Sequence, residues 1–379
     1  MSTIQIPVRG VPININIAQS EDRAREVPLL WNGLNLARRF GATAMLADRL
    51  DKFFDRSVRP DYFKKMDFTA PAGDQGWFGP DSAVWYVHSN LPVLEFGLFC
   101  AAHLENLHPG IAWMGFDHSR VVERVDGVPT GAINPDGARV RFAHSLAFFL
   151  AVAIGPTETA ERAARAVRAM HHTIKGTRPD GITYDADDQH FLRWNYATVV
   201  WGIATAHERY HPDPIVDIDD YYREFVRVGE ALGGTDLPAT KAEVAEYLAA
   251  EAPVMGLTLP GVAAGYATTR DRTKPVQRQI VKFVDWAKTD MLPRWAQNMY
   301  SFVPPSAPVV SLRRAQLRAA FDVLDGAAGP LQEVQDSLAR AAKAPDNQPD
   351  FGSTRKLNAE QPEDLSRAEV EAKVNNSAA

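Results

Sequence analysis

Residues 157–176, TETAERAARAVRAMHHTIKG, decide the fold class. Ala160, Ala163, Ala164, Val167, Met170, His171 and Ile174 recur at intervals of three and four, the spacing of one helix face. Thr157 stands where an N-cap is expected, and Gly176 where a helix stops. A helix turns about 100° per residue, so the two adjacent histidines diverge. His171 falls on the Val167/Ile174 face and His172 falls off it.

The same period runs outward in both directions. Residues 138–154 read as a buried helix ended by Gly155 and Pro156, and Asp187 is placed to cap a very apolar helix over 191–210 that Pro212 and Pro214 terminate. Further helical patterns cover 29–54, 91–105, 221–232, 241–250, 276–289 and 312–324, with another helix beginning near Asp81 or Ser82. No strand alternation of comparable length competes, so the expected class is all-α. Three polar stretches rich in Gly and Pro, 69–80, 120–137 and 177–188, read as loops, and Pro109-Gly110 breaks the pattern after residue 105. Residues 1–25 read as an extended arm. From Ala341 the chain turns polar with Pro345, Pro349 and Pro362, which reads as a disordered tail. The resulting division is an N-terminal arm and helical region over 1–69, a catalytic domain over 70–325 and a tail over 340–379.

Composition narrows the partners. The chain has 379 residues, 45% hydrophobic and 23% charged, and a formal charge of -6. These are globular values without the basic stripe that nucleic acid requires. Cys100 is the sole cysteine, which excludes an intramolecular disulfide and a thiolate zinc cluster and points to a reducing compartment. Residues 1–18 lack a basic start followed by a continuous apolar run, so a cytoplasmic location is expected. The longest apolar run, 146–155, is about half of the roughly 20 residues a membrane span needs. No stable membrane insertion is expected.

Chemistry concentrates in a few histidines. A neutral imidazole at the end of a buried helix is able to ligate a metal or haem iron; the alternative is a hydrogen-bonded core histidine. One helix earlier, Arg141, His144, Ser145 and Phe148 share a face. A buried guanidinium beside an imidazole calls for an anionic or coordinating partner, unless Arg141 starts the helix in solvent and His144 points outward. A competing signal is His207-Glu208-Arg209-Tyr210-His211, the zinc-peptidase pattern, with Glu230 as a third ligand. There Pro212 makes a helix boundary at His211. Glu105-Asn106-Leu107-His108 is a single Glu-x-x-His unit, short of the two a di-iron bundle uses. Cys100, in an apolar stretch without a basic neighbour, reads as core.

Several segments in order resemble the haem-dependent oxygenase family that includes rubber oxygenase (latex clearing protein) and the ER-bound mpaB-type oxygenases. They are Gly73-Asp74-Gln75-Gly76-Trp77-Phe78-Gly79-Pro80-Asp81-Ser82, then Trp85, Val87 and His88, Leu107-His108-Pro109, Asp117-His118-Ser119, and residues 141–155. Val167-Arg168-Ala169-Met170-His171, Pro179-Asp180-Gly181, Tyr221-Tyr222 and Leu292-Pro293-Arg294-Trp295 continue it. The resemblance covers about 70–300 and implies a single globin-like helical domain holding haem b, with His171 as the proximal iron ligand and Arg168 one turn before it. It also implies Arg141 and Ser145 on the distal side, Ser replacing the family's Thr, with Glu123 nearest to the family's acidic base. Two departures stand out. His144 occupies the rubber-oxygenase lysine position, which makes it a candidate second axial ligand, and Tyr196 replaces a histidine common in a later motif. The expected function is a haem b oxidoreductase using O2 or peroxide on a small hydrophobic, isoprenoid or lipid-like substrate. A zinc metallopeptidase and a non-catalytic haem-binding protein are the alternatives.

Overall fold

A computed structural model describes residues 2–8, 11–17, 66–262, 275–328 and 331–343. The elements run β1 (Ser2–Val8), β2 (Val11–Ile17), α1 (Ala83–Ser89), α2 (Leu91–Glu105), α3 (Pro109–His118), β3 (Val122–Val125) and β4 (Val128–Ile133). They continue with α4 (Pro135–Ile154), α5 (Thr157–His171), β5 (Lys175–Thr177), β6 (Thr183–Asp185), α6 (Gln189–Tyr210), α7 (Ile218–Ala231) and α8 (Lys241–Glu251). The last are α9 (Pro275–Met291), α10 (Arg294–Met299), α11 (Ala307–Ala328) and α12 (Gln332–Ala342). Helices dominate, as expected, and the described strands form three separate antiparallel pairs.

Two buried helices, α2 and α6, form the centre. Val93, Leu94 and Leu104 on α2 and Val200, Ile203 and Ala204 on α6 are fully enclosed. Backbones meet where two glycines face each other: a Cβ on Gly97 would stand 2.6 Å from Ile203 Cα, and one on Gly202 would stand 2.4 Å from the Gly97 carbonyl oxygen. Both helices are apolar nearly all round because other helices cover them on every side. Side-chain caps fix their starts. Asn90 accepts from the Val93 amide ahead of α2 and Asp188 from the His190 amide ahead of α6, each worth about 1 kcal/mol.

Several local expectations need correction. Pro109-Gly110 opens a helix instead of breaking one, because proline suits the first helical position and the His108 ring accepts from the Gly110 amide. The stretch 120–137 contains the β3–β4 hairpin, turned by Asp126 and Gly127 at φ 50° and 80°, and α4 begins at Pro135. Thr157 is the first residue of α5, not its cap; its amide and hydroxyl both bond the Asp74 carboxylate. That helix stops at His171, since Lys175–Thr177 pairs with Thr183–Asp185. Asp188, not Asp187, caps α6. The N-terminal arm is an antiparallel pair over its described part. The predicted helix over 29–54 lies outside the described residues, as does the tail from 344. The tail's expected start at 340 is overturned: Arg340 is fully buried within α12.

Candidate functional site

Apolar surface left uncovered on α4 marks the site. Among the described residues Pro135–Ile154 is the one helix long and apolar enough to cross a membrane by length and composition, yet only 50% of its most apolar window is buried. Ala143, Leu146, Ala147 and Leu150 pack into the core, whereas Arg141 and His144 are exposed and Ser145, Phe148 and Phe149 are half-buried. The four residues do share a face, but Arg141 and His144 are exposed on it, so the buried guanidinium and imidazole read from the sequence give way to the alternative in which both point outward. Arg141 Nη1 donates to Ser145 Oγ at 2.5 Å, tying guanidinium and hydroxyl together one turn apart.

Opposite stands a carboxylate the sequence reading assigned to no oxygenase role. Glu105 ends α2, takes a hydrogen bond from Asn195 Nδ2 at 2.5 Å and a longer one from Thr198 Oγ1 at 3.5 Å, both on α6. It is half-buried and closely surrounded by protein. Burial raises its pKa from 4.5 to about 7, against the opposing pull of the Arg141 charge and the Thr198 hydroxyl. The Arg141 charge on α4 thus acts on the Glu105 carboxyl at the end of α2.

His171, the last residue of α5, also feels the Arg141 charge. It is half-buried, its Nδ1 is enclosed without a hydrogen-bond partner, and burial lowers its pKa. The Asp187 carboxylate opposes that shift, and Arg141 and His172 add to it. A neutral ring with a free nitrogen results. His172 is exposed and bonds Asp187 through Nδ1, so the two adjacent histidines separate as the helical wheel requires. One turn before His171, Arg168 is exposed and rests against the end of α7: Gly233, at φ +97°, leaves a place where a Cβ would stand 3.5 Å from Arg168 Nε and 3.7 Å from Leu192 Cδ1.

Phe149, Leu192, Asn195, Tyr196, Phe225 and Gly229 line a small cavity that is partly open to solvent. Asn195 links it to Glu105. Tyr196 is buried, donates to the Pro238 carbonyl at 3.0 Å, and has its pKa raised by burial and by the Glu230 and Glu243 charges. Its phenol is a neutral wall. Glu123 stands exposed on β3, its backbone carbonyl taking the Thr130 hydroxyl; the carboxylate that feels Arg141 is Glu105.

The zinc pattern is put to other uses. His207 Nε2 accepts from the Ile215 amide and His211 Nδ1 from the Asp213 amide, each at 3.0 Å. His211 has already left the helix, with φ −64° and ψ 136°, so Pro212 has the expected effect. Glu208 pairs with Lys241 at 2.6 Å, and Glu230 is exposed on α7. Among the described residues no group of three or more His, Cys, Asp or Glu is arranged to hold a metal ion. Cys100 is fully buried, and burial pushes its thiol to about 12, which makes it core.

No curated protein and no solved structure matches the chain significantly. The sequence pattern of the ER-bound oxygenase mpaB/B'/Rubber oxygenase catalytic domain matches residues 85–322, the segment that contains α2, α4, α5, α6 and α7 and hence every side chain of the cavity described above. With most of its length inside that match, the chain belongs to the mpaB/rubber oxygenase family.

Proposed function

We propose that this oxygenase-family domain holds haem b in the space between α4, α5 and α6, with His171 as the axial ligand, in a globin-like helical setting. The observation that carries the reading is the His171 ring: neutral, half-buried, and with an enclosed nitrogen that no protein group satisfies. An enclosed polar atom without a partner costs about 1–3 kcal/mol, a cost that coordination removes. The uncovered apolar face of α4 is a suitable wall for a flat hydrophobic group, and Arg168 and Arg141 supply cationic partners for its carboxylates. Bound there, haem would supply activation of O2 or peroxide. Ser145 and Arg141 form a hydrogen-bonding group on the α4 side, with His144 beside them as a candidate second axial ligand. Phe149, Tyr196 and Phe225 give the substrate an apolar, water-poor place, which suits a small hydrophobic molecule.

Glu105 is the residue that distinguishes catalysis from haem storage. A carboxyl whose pKa lies near 7 takes up and releases a proton at neutral pH, and a passive haem carrier has no use for one. The direct test is titration of the purified chain with haemin, followed by O2 uptake in the presence of isoprenoid and fatty alkenes. A stoichiometric Soret band with alkene-dependent O2 consumption is the expected result. A colourless protein carrying one zinc per chain would sink the reading.

A second outcome follows from Glu105 itself. The unfolded chain ionises this group near 4.5, while the folded chain holds the proton to about 7. Folded stability therefore falls as pH rises from about 4.5 to about 7 and stays at the lower level above that. The interval corresponds to about 3 kcal/mol. Glu105→Gln keeps an oxygen for Asn195 and removes the charge. The haem-free variant is expected to be more stable than wild type by about 2–3 kcal/mol at pH 8 and equal to it at pH 4, while alkene-dependent turnover falls by about 100-fold. Urea denaturation at the two pH values checks the first half. Equal stability at pH 8 would show that the carboxylate is not strained.

A further inference from the structure

Behind the cavity wall lies a tyrosine whose partner is unlike that of the buried phenols that front or neighbour it. His88, on α1, has no accessible surface, and neither does Tyr221 on α7. The Tyr221 hydroxyl stands 3.1 Å from His88 Nε2, and His88 Nδ1 stands 3.2 Å from the carbonyl oxygen of Phe149. A carbonyl only accepts, so Nδ1 carries the ring proton. Nε2 is then bare and accepts from the Tyr221 O–H. Burial holds the imidazole neutral, its pKa lowered to about 4.

This pair touches the cavity through aromatic rings. Phe149 and Phe225 line the cavity; Phe225 stacks on Tyr221 at 5.3 Å and on Tyr196 at 6.2 Å, and His88 lies 5.7 Å from Phe225. The neighbouring phenols lack a free base. Tyr196 donates to the Pro238 carbonyl, which does not take a proton. Tyr210 donates to Asp290, whose carboxylate is already held by Arg209 and Arg314, and the Tyr222 hydroxyl has no partner. Trp85 sits under the Arg340 guanidinium, 6.0 Å from its ring, and a cation there opposes formation of a second positive charge. Tyr184 does have acceptors, Asp117 and the nearby His118, but it belongs to the separate small cluster with Met114 and Ala186.

We propose that Tyr221 and His88 form a proton-coupled redox pair that gives one electron to an oxidant outside the pair, namely the haem proposed at His171 once peroxide has oxidised it. The pair's chemistry belongs to the chain alone; only the identity of the oxidant rests on the haem reading. In the step, Tyr221 loses one electron, its O–H bond breaks, and the proton forms an N–H bond at His88 Nε2. The products are a neutral phenoxyl radical, an imidazolium whose Nδ1–H stays on the Phe149 carbonyl, and a haem reduced by one electron. Phenols lose an electron far more readily when the proton leaves at the same time, so the bare nitrogen selects Tyr221 over its neighbours. Such a donor drains oxidising equivalents from the site when no substrate is bound.

Two arms test it on the full chain. In the first, a ruthenium polypyridyl photo-oxidant with a sacrificial quencher oxidises the protein without any haem, and freeze-trapped electron paramagnetic resonance reads the radical. A neutral tyrosyl signal is expected, with one coupling that disappears in deuterated water. It should fall at least fivefold in Tyr221→Phe and in His88→Gln and persist in Tyr184→Phe. Tyr221→Phe removes one oxygen only; circular dichroism verifies its fold, and the deuterium-sensitive coupling in wild type is an independent readout. An undiminished signal in Tyr221→Phe, or no exchangeable coupling, overturns the pair. In the second arm, chain with a verified Soret band is treated with hydrogen peroxide. The same Tyr221-dependent radical is expected, and its absence overturns the use of the pair as donor to the haem. A chain that takes up no haem instead fails the haem reading, and the first arm then decides the pair by itself.

Discussion

Replacing His171 with alanine is expected to abolish the Soret band of the haem-loaded chain, with haem affinity reduced by at least about 100-fold, while His172→Ala retains it. The size follows from what each ring contributes. His171 presents an enclosed Nδ1 that no protein group satisfies and is held neutral by burial; His172 is exposed and spends its Nδ1 on Asp187. The axial bond is the strongest single contact the chain has to offer iron, and a loss of about 100-fold is only about 3 kcal/mol. The same alanine should hardly alter the haem-free fold. Removing a buried group without a partner relieves a desolvation cost of about 1–3 kcal/mol, which offsets most of the packing lost with a half-buried ring. Colour lost without any change in the urea midpoint therefore identifies a ligand. A variant that keeps the full Soret intensity would remove His171 from the iron, and one that merely unfolds would make it a core residue.

That separation of His171 from His172 was legible because it needs only the helical period. The shared face of Arg141, His144, Ser145 and Phe148 was legible for the same reason. Glu105 was not, because its value depends on Asn195 and Thr198, which bond it from α6, and on the Arg141 charge on α4. One local signal did exist. Glu105 is the last residue of an apolar helix, the end where the helix dipole disfavours a negative charge. A carboxylate kept there against the dipole has another use, and in the sequence it stood out only as half of an incomplete di-iron motif. Asp126-Gly127 was a readable hairpin signal too, but the flanking strands are four and six residues long, below the length at which alternation outweighs a polar composition. The His207–His211 match shows the opposite failure. Its residue types are right, but each ring nitrogen that accepts does so from a backbone amide of the turn that Pro212 and Pro214 impose.

Arg340→Met is expected to destabilise the chain by about 3–6 kcal/mol and to weaken haem binding although the residue itself lies outside the cavity lining and outside the segment matched to the family. Arg340 is fully buried, and its guanidinium donates to three backbone carbonyls: Phe68 at 2.9 Å, Asp74 at 2.8 Å and Ile154 at 2.8 Å. Methionine has nearly the same apolar reach and no donor, so the variant isolates these bonds from the packing. Each buried carbonyl left without a donor costs about 1–3 kcal/mol, a large part of the 5–15 kcal/mol by which domains are stable. The position of the three acceptors carries the effect to the site. Ile154 closes α4, the wall bearing Arg141 and Ser145, and Asp74 binds the amide and hydroxyl of Thr157, the first residue of the helix that ends in His171. One side chain thus sets the angle between the two helices that hold the proposed iron ligand and the groups facing it. Arg340→Lys should recover only part of the loss, because an ammonium cannot span three carbonyls in one plane. A chain ended at residue 328 should behave like the methionine variant or worse, since it lacks α12 altogether. Wild-type urea midpoints for Arg340→Met would show that the three carbonyls find water, and that α12 is an ornament to the domain and not its clamp.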